Sequence, residues 1–324
     1  MLAIAAFSAM LAIVAIVGMI VDDRTLGGAH VWAKPLKFGI SGAVYGLTWA
    51  WMCSLIDRRY KTVRRASMVV AVLLGVELIV IFSQAARGKR SHYNFDSLFD
   101  AVLYEIMATS IFTVWIGALV LTLLVLRSNI RNRADKLTVG FGSVISLVGV
   151  GLGALMTLPT ADQITIIGSG HGFDTIGAHT VGSTDGGPGI PFLGWSTTGG
   201  DLRIPHFVGM HALQAVLLWN LALGLLAGRF SWLRSTTVRA RLVIVGGMGY
   251  AGLLTLLTWQ AYRGQALIAP DAWTLAALGV LVAGMIAGTI FTLRRAAMST
   301  VDSEYDLLLA NANESRYALS RSRD

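Results

Sequence analysis

A single cysteine, Cys53, stands in the whole chain. One thiol cannot form an intrachain disulfide, a cysteine-ligated zinc or iron–sulfur site, or a haem attachment through C-x-x-C-H. Charge is scarce too, at 14% of 324 residues. There is no Walker loop, no dinucleotide fingerprint on a strand and no nucleophile elbow. The glycine pair of Gly168-Ser169-Gly170 is loop composition with no following helix to receive a phosphate. The strand-like alternation of an outer-membrane barrel is missing as well.

What is present is apolar sequence: 55% of residues are hydrophobic and the mean hydropathy is +0.65. Several stretches near 20 residues make an all-α integral membrane protein the expected class. Eight spans are predicted, at about 1–21, 38–56, 68–86, 101–126, 137–160, 204–227, 242–260 and 274–293, each sufficient for the ~30 Å apolar core. The first lacks a basic start and reads as a retained anchor rather than a secretory signal.

The formal charge of +8 would suit a nucleic-acid binder, but the positions of the basic residues argue against one. Arg58, Arg59, Lys61, Arg64 and Arg65 fill one loop, Arg127, Arg131, Arg133 and Lys136 the next, and Arg229, Arg234, Arg239 and Arg241 a third. Together with the tail arginines they put most basic residues on one side. The positive-inside rule makes that side cytoplasmic, with both termini inside and the inner membrane as location. The Gly-rich loop 161–203 between spans five and six is then extracytoplasmic, and its length suits a lid or binding loop.

The richest polar stretch is Gly199–Gln214, at the mouth of span six. On one continuous helix at about 100° per residue, His206, Met210, Arg203, Gln214 and His211 share an arc. Polar groups on such an arc go unsatisfied in lipid, so it faces other helices or a wet cavity. All six histidines (30, 92, 171, 179, 206, 211) fall on the outer side. His171 and His179 read as solvated loop residues. His30, His92, His206 and His211 are the candidate ligands for haem b or a divalent metal. Lys34, Lys37, Arg87, Arg203 and Arg263, with Gln84, Gln214 and Gln260, are the candidate binding groups for a small anion or haem propionates. Glu77 and Glu105 are the intramembrane carboxylates and the candidate catalytic or proton-carrying groups.

One offset recurs. Gln84-Ala85-Ala86-Arg87-Gly88 matches Gln260-Ala261-Tyr262-Arg263-Gly264, and the same shift of 176 places His30 on His206 and Arg65 on Arg241. This predicts a duplicated four-span unit, 1–136 and 137–298, with a polar cytoplasmic tail from 299. An even number of spans makes the halves parallel. In span count and outer-side histidines the arrangement resembles haem A synthases. Those enzymes also place histidines in the last helix of each half, which spans four and eight lack, and their function is not carried over.

Three functions are therefore expected of the outward-facing His/Arg/Lys pocket. The first is haem or metal binding in a membrane oxidoreductase or hydrolase. The second is proton-coupled secondary transport of an anionic solute. The third is an accessory or assembly role with a membrane-protein partner or a second copy. The lipid bilayer is a partner in each, and nucleic acid in none.

Overall fold

The computed structural model describes residues 1–55, 61–130, 132–169 and 174–321, with side chains through Met298. His171, Arg58, Arg59 and Arg131 lie outside the described residues. Ten α-helices run in order: α1 (Leu2–Val21), α2 (Ala33–Ser54), α3 (Lys61–Ala86), α4 (Leu98–Arg127), α5 (Arg133–Leu152), α6 (Ala161–Gly168), α7 (Arg203–Met210), α8 (Ala212–Leu226), α9 (Thr236–Tyr262) and α10 (Ala272–Arg321). Two short 3-10 helices, Gly153–Thr157 and Ser231–Arg234, and two minimal hairpins complete the fold among the described residues: β1 (Thr25–Leu26) with β2 (Ala29–His30), and β3 (Thr180–Val181) with β4 (Gly200–Asp201).

Among the described residues, six helices (α1, α3, α4, α5, α9 and the first half of α10) are long and apolar enough to cross a bilayer, and the bent pair α7–α8 adds a seventh if it is counted as one span. α2 has sufficient length at 22 residues but carries Lys34 and Lys37 and is not among them. Leu2, Ile13, Ile20, Phe112, Leu225, Trp273 and Val280 are all exposed. Apolar faces of this size call for lipid.

Small residues set the helix spacing. Gly39 and Gly46 of α2 lie against Ala12 and Ala5 of α1, where a Cβ would press on backbone. A Cβ on Gly149 of α5 would overlap the Gly209 backbone of α7. Such close approach takes the place of the bulky ridges that space soluble helices. α3 packs on α4, and α9 packs on both α5 and α10. The core between them is aliphatic, with Met52, Leu121, Val125, Val139 and Leu213 in its largest cluster.

Two expectations change here. The stretch 199–214 is not one helix mouth: the chain bends by 47° between α7 and α8, with His211 at the joint. A single helical arc therefore cannot hold Arg203, His206 and Gln214. Loop 161–203 is also less bare than its composition suggests. It contains α6, opened by a Thr160–Gln163 capping box, and then the β3–β4 hairpin.

Candidate functional site

Pro35 sits early in α2, where its fixed φ is tolerated. Lys34, just before it, and Lys37 and Ser41 after it stand at i, i+3 and i+7, so they share one face. That face meets the α3–α4 loop on one side and α7 on the other, and the polar groups of both halves converge there.

Lys34 Nζ donates to His92 Nδ1 at 3.0 Å. Ser91 Oγ lies 3.1 Å from the same nitrogen. With both donors on Nδ1, the ring proton belongs on Nε2. Nε2 stands 3.6 Å from Glu77 Oε1, an ion-pair approach just beyond hydrogen-bond range. The other Glu77 oxygen is buried with no hydrogen-bond partner. An ammonium, an imidazole and a buried carboxylate are thus in series, leading from α2 through the α3–α4 loop into α3.

Aromatic rings enclose His92: Phe38, Tyr93 and Tyr104 all stand within 6.5 Å between ring centroids. Burial, reinforced by Lys34, His179 and His206 nearby, holds His92 well below the ordinary imidazole range. Tyr93 takes φ +58, a conformation costing about 1–3 kcal/mol for a bulky side chain. It thereby reaches His179 on its other side, at 5.1 Å.

His179, expected to be solvated, is instead part of this wall. Its Nδ1 lies 2.9 Å from Asp185 Oδ2. The backbone N–H groups of His179 and Thr180 also donate to that carboxylate. Burial lowers the His179 pKa, and the Asp185 bond partly offsets it. Loop glycines around His179 gave no sign of this contact, which depends on Tyr93, 86 residues earlier.

On the α7 side, His206 Nδ1 donates to the Gly149 carbonyl at 2.8 Å. That bond fixes the ring, which lies against Gly153 just after α5, and leaves Nε2 as the nitrogen free to accept. His211 Nε2 is 3.2 Å from Ser41 Oγ, joining α2 to the α7–α8 joint. Arg203 grips Asp201 in a fork, Nε to Oδ1 at 2.9 Å and Nη2 to Oδ2 at 2.6 Å. Lys37 Nζ donates to the Leu193 carbonyl at 3.0 Å. Gln214 is buried on α8 with Oε1 unpartnered.

Other predicted residues lie apart from this cluster. His30 sits in β2, accepting from the Trp32 N–H through Nδ1. Glu105 is exposed on α4 beside Leu73, Val102 and Thr109. The two Gln-Ala-x-Arg-Gly segments close helices. Gly88 and Gly264 both take φ +68. Each ends its helix in a Schellman motif, with Lys89 N–H on the Gln84 carbonyl and Gln265 N–H on the Gln260 carbonyl. Gln84 and Gln260 then donate to the carbonyls of Arg90 and Ala266, six residues on in each case. Arg87 and Arg263 pair with Asp100 and Asp271, at the start of the next helix. Arg87 covers Phe99 and Arg263 covers Trp259.

Among the described residues, no three His, Cys, Asp or Glu side chains are placed to share one metal ion. No family model, curated protein or solved structure matches the chain.

Proposed function

We propose that the chain is a proton-coupled membrane protein, in its sharpest form a secondary transporter of a small anion. Its outward-facing His/Lys site moves protons through Glu77, His92 and Lys34. The observation that carries this reading is the series itself: 3.0 Å from Lys34 to His92 and 3.6 Å from His92 to Glu77, with one Glu77 oxygen left unpaired. A carboxylate buried this way costs several kcal/mol unless it is protonated or answered by a cation. A swing of the imidazole by a few tenths of an ångström would complete a path for one proton from the outer layer to Glu77, Lys34 giving its proton to Nδ1 as Nε2 passes its own to the Glu77 carboxylate. Lys34 and Lys37 stand on the same face, so an anion arriving there would be stabilised by the charge that repels protons from His92.

The proposed topology has eight spans, with α2 included and α7–α8 counted once, in two parallel four-helix units with both termini cytoplasmic. The paired Schellman caps support the duplication: sequence, φ and glutamine bond repeat together at one offset, while the aspartate partners of Arg87 and Arg263 lie 171 residues apart. Glu77 has no acidic counterpart in the second half, where that offset falls on Leu253, so only the first unit would carry the relay.

The test is proton movement in proteoliposomes under imposed gradients of succinate or inorganic phosphate. Wild type is expected to move protons with one of them, and Glu77→Gln to lose this while remaining folded. Unchanged proton movement in both Glu77→Gln and His92→Gln would contradict the proposal.

A second reading rests on one detail. With Nδ1 donating to the Gly149 carbonyl, His206 presents Nε2 as haem-ligating histidines do. A reduced-minus-oxidised spectrum with one b-type haem per chain, abolished by His206→Ala, would select it.

A further inference from the structure

Loop 188–199 folds back on itself: Ile190 N–H donates to the Trp195 carbonyl at 2.8 Å, and Thr197 N–H to the Pro188 carbonyl at 3.0 Å. Its tip presents three successive carbonyls, those of Phe192, Leu193 and Gly194, to the site. Lys37 Nζ takes the first two, at 3.4 and 3.0 Å. Arg203 Nη2 takes the third, at 2.6 Å. Trp195 stacks edge-on against Phe207 of α7, which ties the loop's return arm to the same helix.

Arg203 has its own counter-ion in Asp201, but no carboxylate forms an ion pair with Lys37 among the described residues. Carbonyl dipoles satisfy the ammonium's hydrogen bonds without neutralising its charge. A carboxylate or oxyanion would do both. The tip also holds Phe192 at φ +65 with more than half of the residue exposed. A non-glycine residue in that region is kept there only by what surrounds it.

We infer that Lys37 and Arg203 form an anion-binding site for a carboxylate or phosphate-type oxyanion, and that the carbonyls of residues 192–194 occupy it as a lid. Anion entry and lid closure then compete for the same donors. Lys37 is the group that discriminates, because Arg203 stays paired with Asp201 in either state. This rests on the proposed anion coupling for its biological use, but binding and coupling separate experimentally.

The full chain in nanodiscs, carrying Cys53→Ser and Phe192→Cys with an environment-sensitive fluorophore on the new thiol, is titrated with succinate and with inorganic phosphate. A saturable fluorescence change is expected with at least one. Its midpoint should rise about tenfold or more in Lys37→Met and recover in Lys37→Arg, as expected when one charge-assisted bond is lost and then regained. Glu77→Gln should leave the midpoint within about twofold while abolishing proton movement. No saturable response to either probe overturns the inference, as does a midpoint unchanged in Lys37→Met. Anion binding intact alongside proton movement that survives Glu77→Gln would uphold this site and sink the relay instead.

Discussion

His92 carries the clearest pH signature at the scale of single residues. Its folded pKa is depressed well below the ordinary imidazole value by burial and nearby cations, and that of His179 is lowered too. In the unfolded chain both take up a proton near pH ~6.5. The unfolded state therefore binds more protons once the pH drops below that value, and stability is lost as pH falls from there towards the folded values. Thermal unfolding followed from neutral to mildly acidic pH should show this loss, and His92→Gln should flatten it. The Asp185 pKa is also lowered, by the His179 bond and the surrounding donors against its own burial, so its contribution fades only in the acidic carboxylate range. Gln84 offers a second residue-level test. Gln84→Ala leaves the Arg90 carbonyl and a buried Asp100 oxygen each short of a donor. It should cost about 1–3 kcal/mol, read as a lowered Tm in detergent.

Among the elements, α5 and α7 decide where the site sits. The Gly149–Gly209 approach brings the two backbones together, and the Gly149 carbonyl is the group that orients His206. Gly149→Ala would force the helices apart, an overpacking cost of about 1–3 kcal/mol. Gly151→Ala, on the same helix but meeting nothing closer than 3.9 Å, should be nearly silent in the same melting assay. The elements themselves were largely legible: long apolar runs and the basic loops announce themselves by composition, although span two, expected from about residue 38, begins as α2 at Ala33. The break at His211 was not, because the one glycine near it, Gly209, reads in sequence as an isolated glycine that a helix tolerates. There the helix gives way where His211 turns toward Ser41 and packs on Phe207. Partner choice was equally hidden. Arg87 and Arg263 are recognisable as a repeated pair in sequence, but only the packing shows Asp100 and Asp271 to be their partners.

For the whole molecule, the charge distribution and the proposed eight crossings make one demand. Reporter fusions placed after Ser128 and after Phe230 should report the cytoplasm, and one in loop 174–199 the opposite side. A fusion after Ser54 tests α2, whose lysines hold it below the apolarity of its neighbours. Cytoplasmic reporting there requires α2 to cross. The proposed chemistry is concentrated on one side of the molecule, contributed by α2, α3, α7 and two loops, and its proposed centre is the path from Lys34 through His92 to Glu77. Infrared difference spectroscopy on the purified protein, recorded between about pH 8 and about pH 5 around the histidine range, tests that path most directly. A carboxylic C=O band that titrates, disappears in Glu77→Gln and shifts in His92→Gln is the predicted result. A spectrum in which no such band depends on Glu77, or in which its titration ignores His92, would contradict the account.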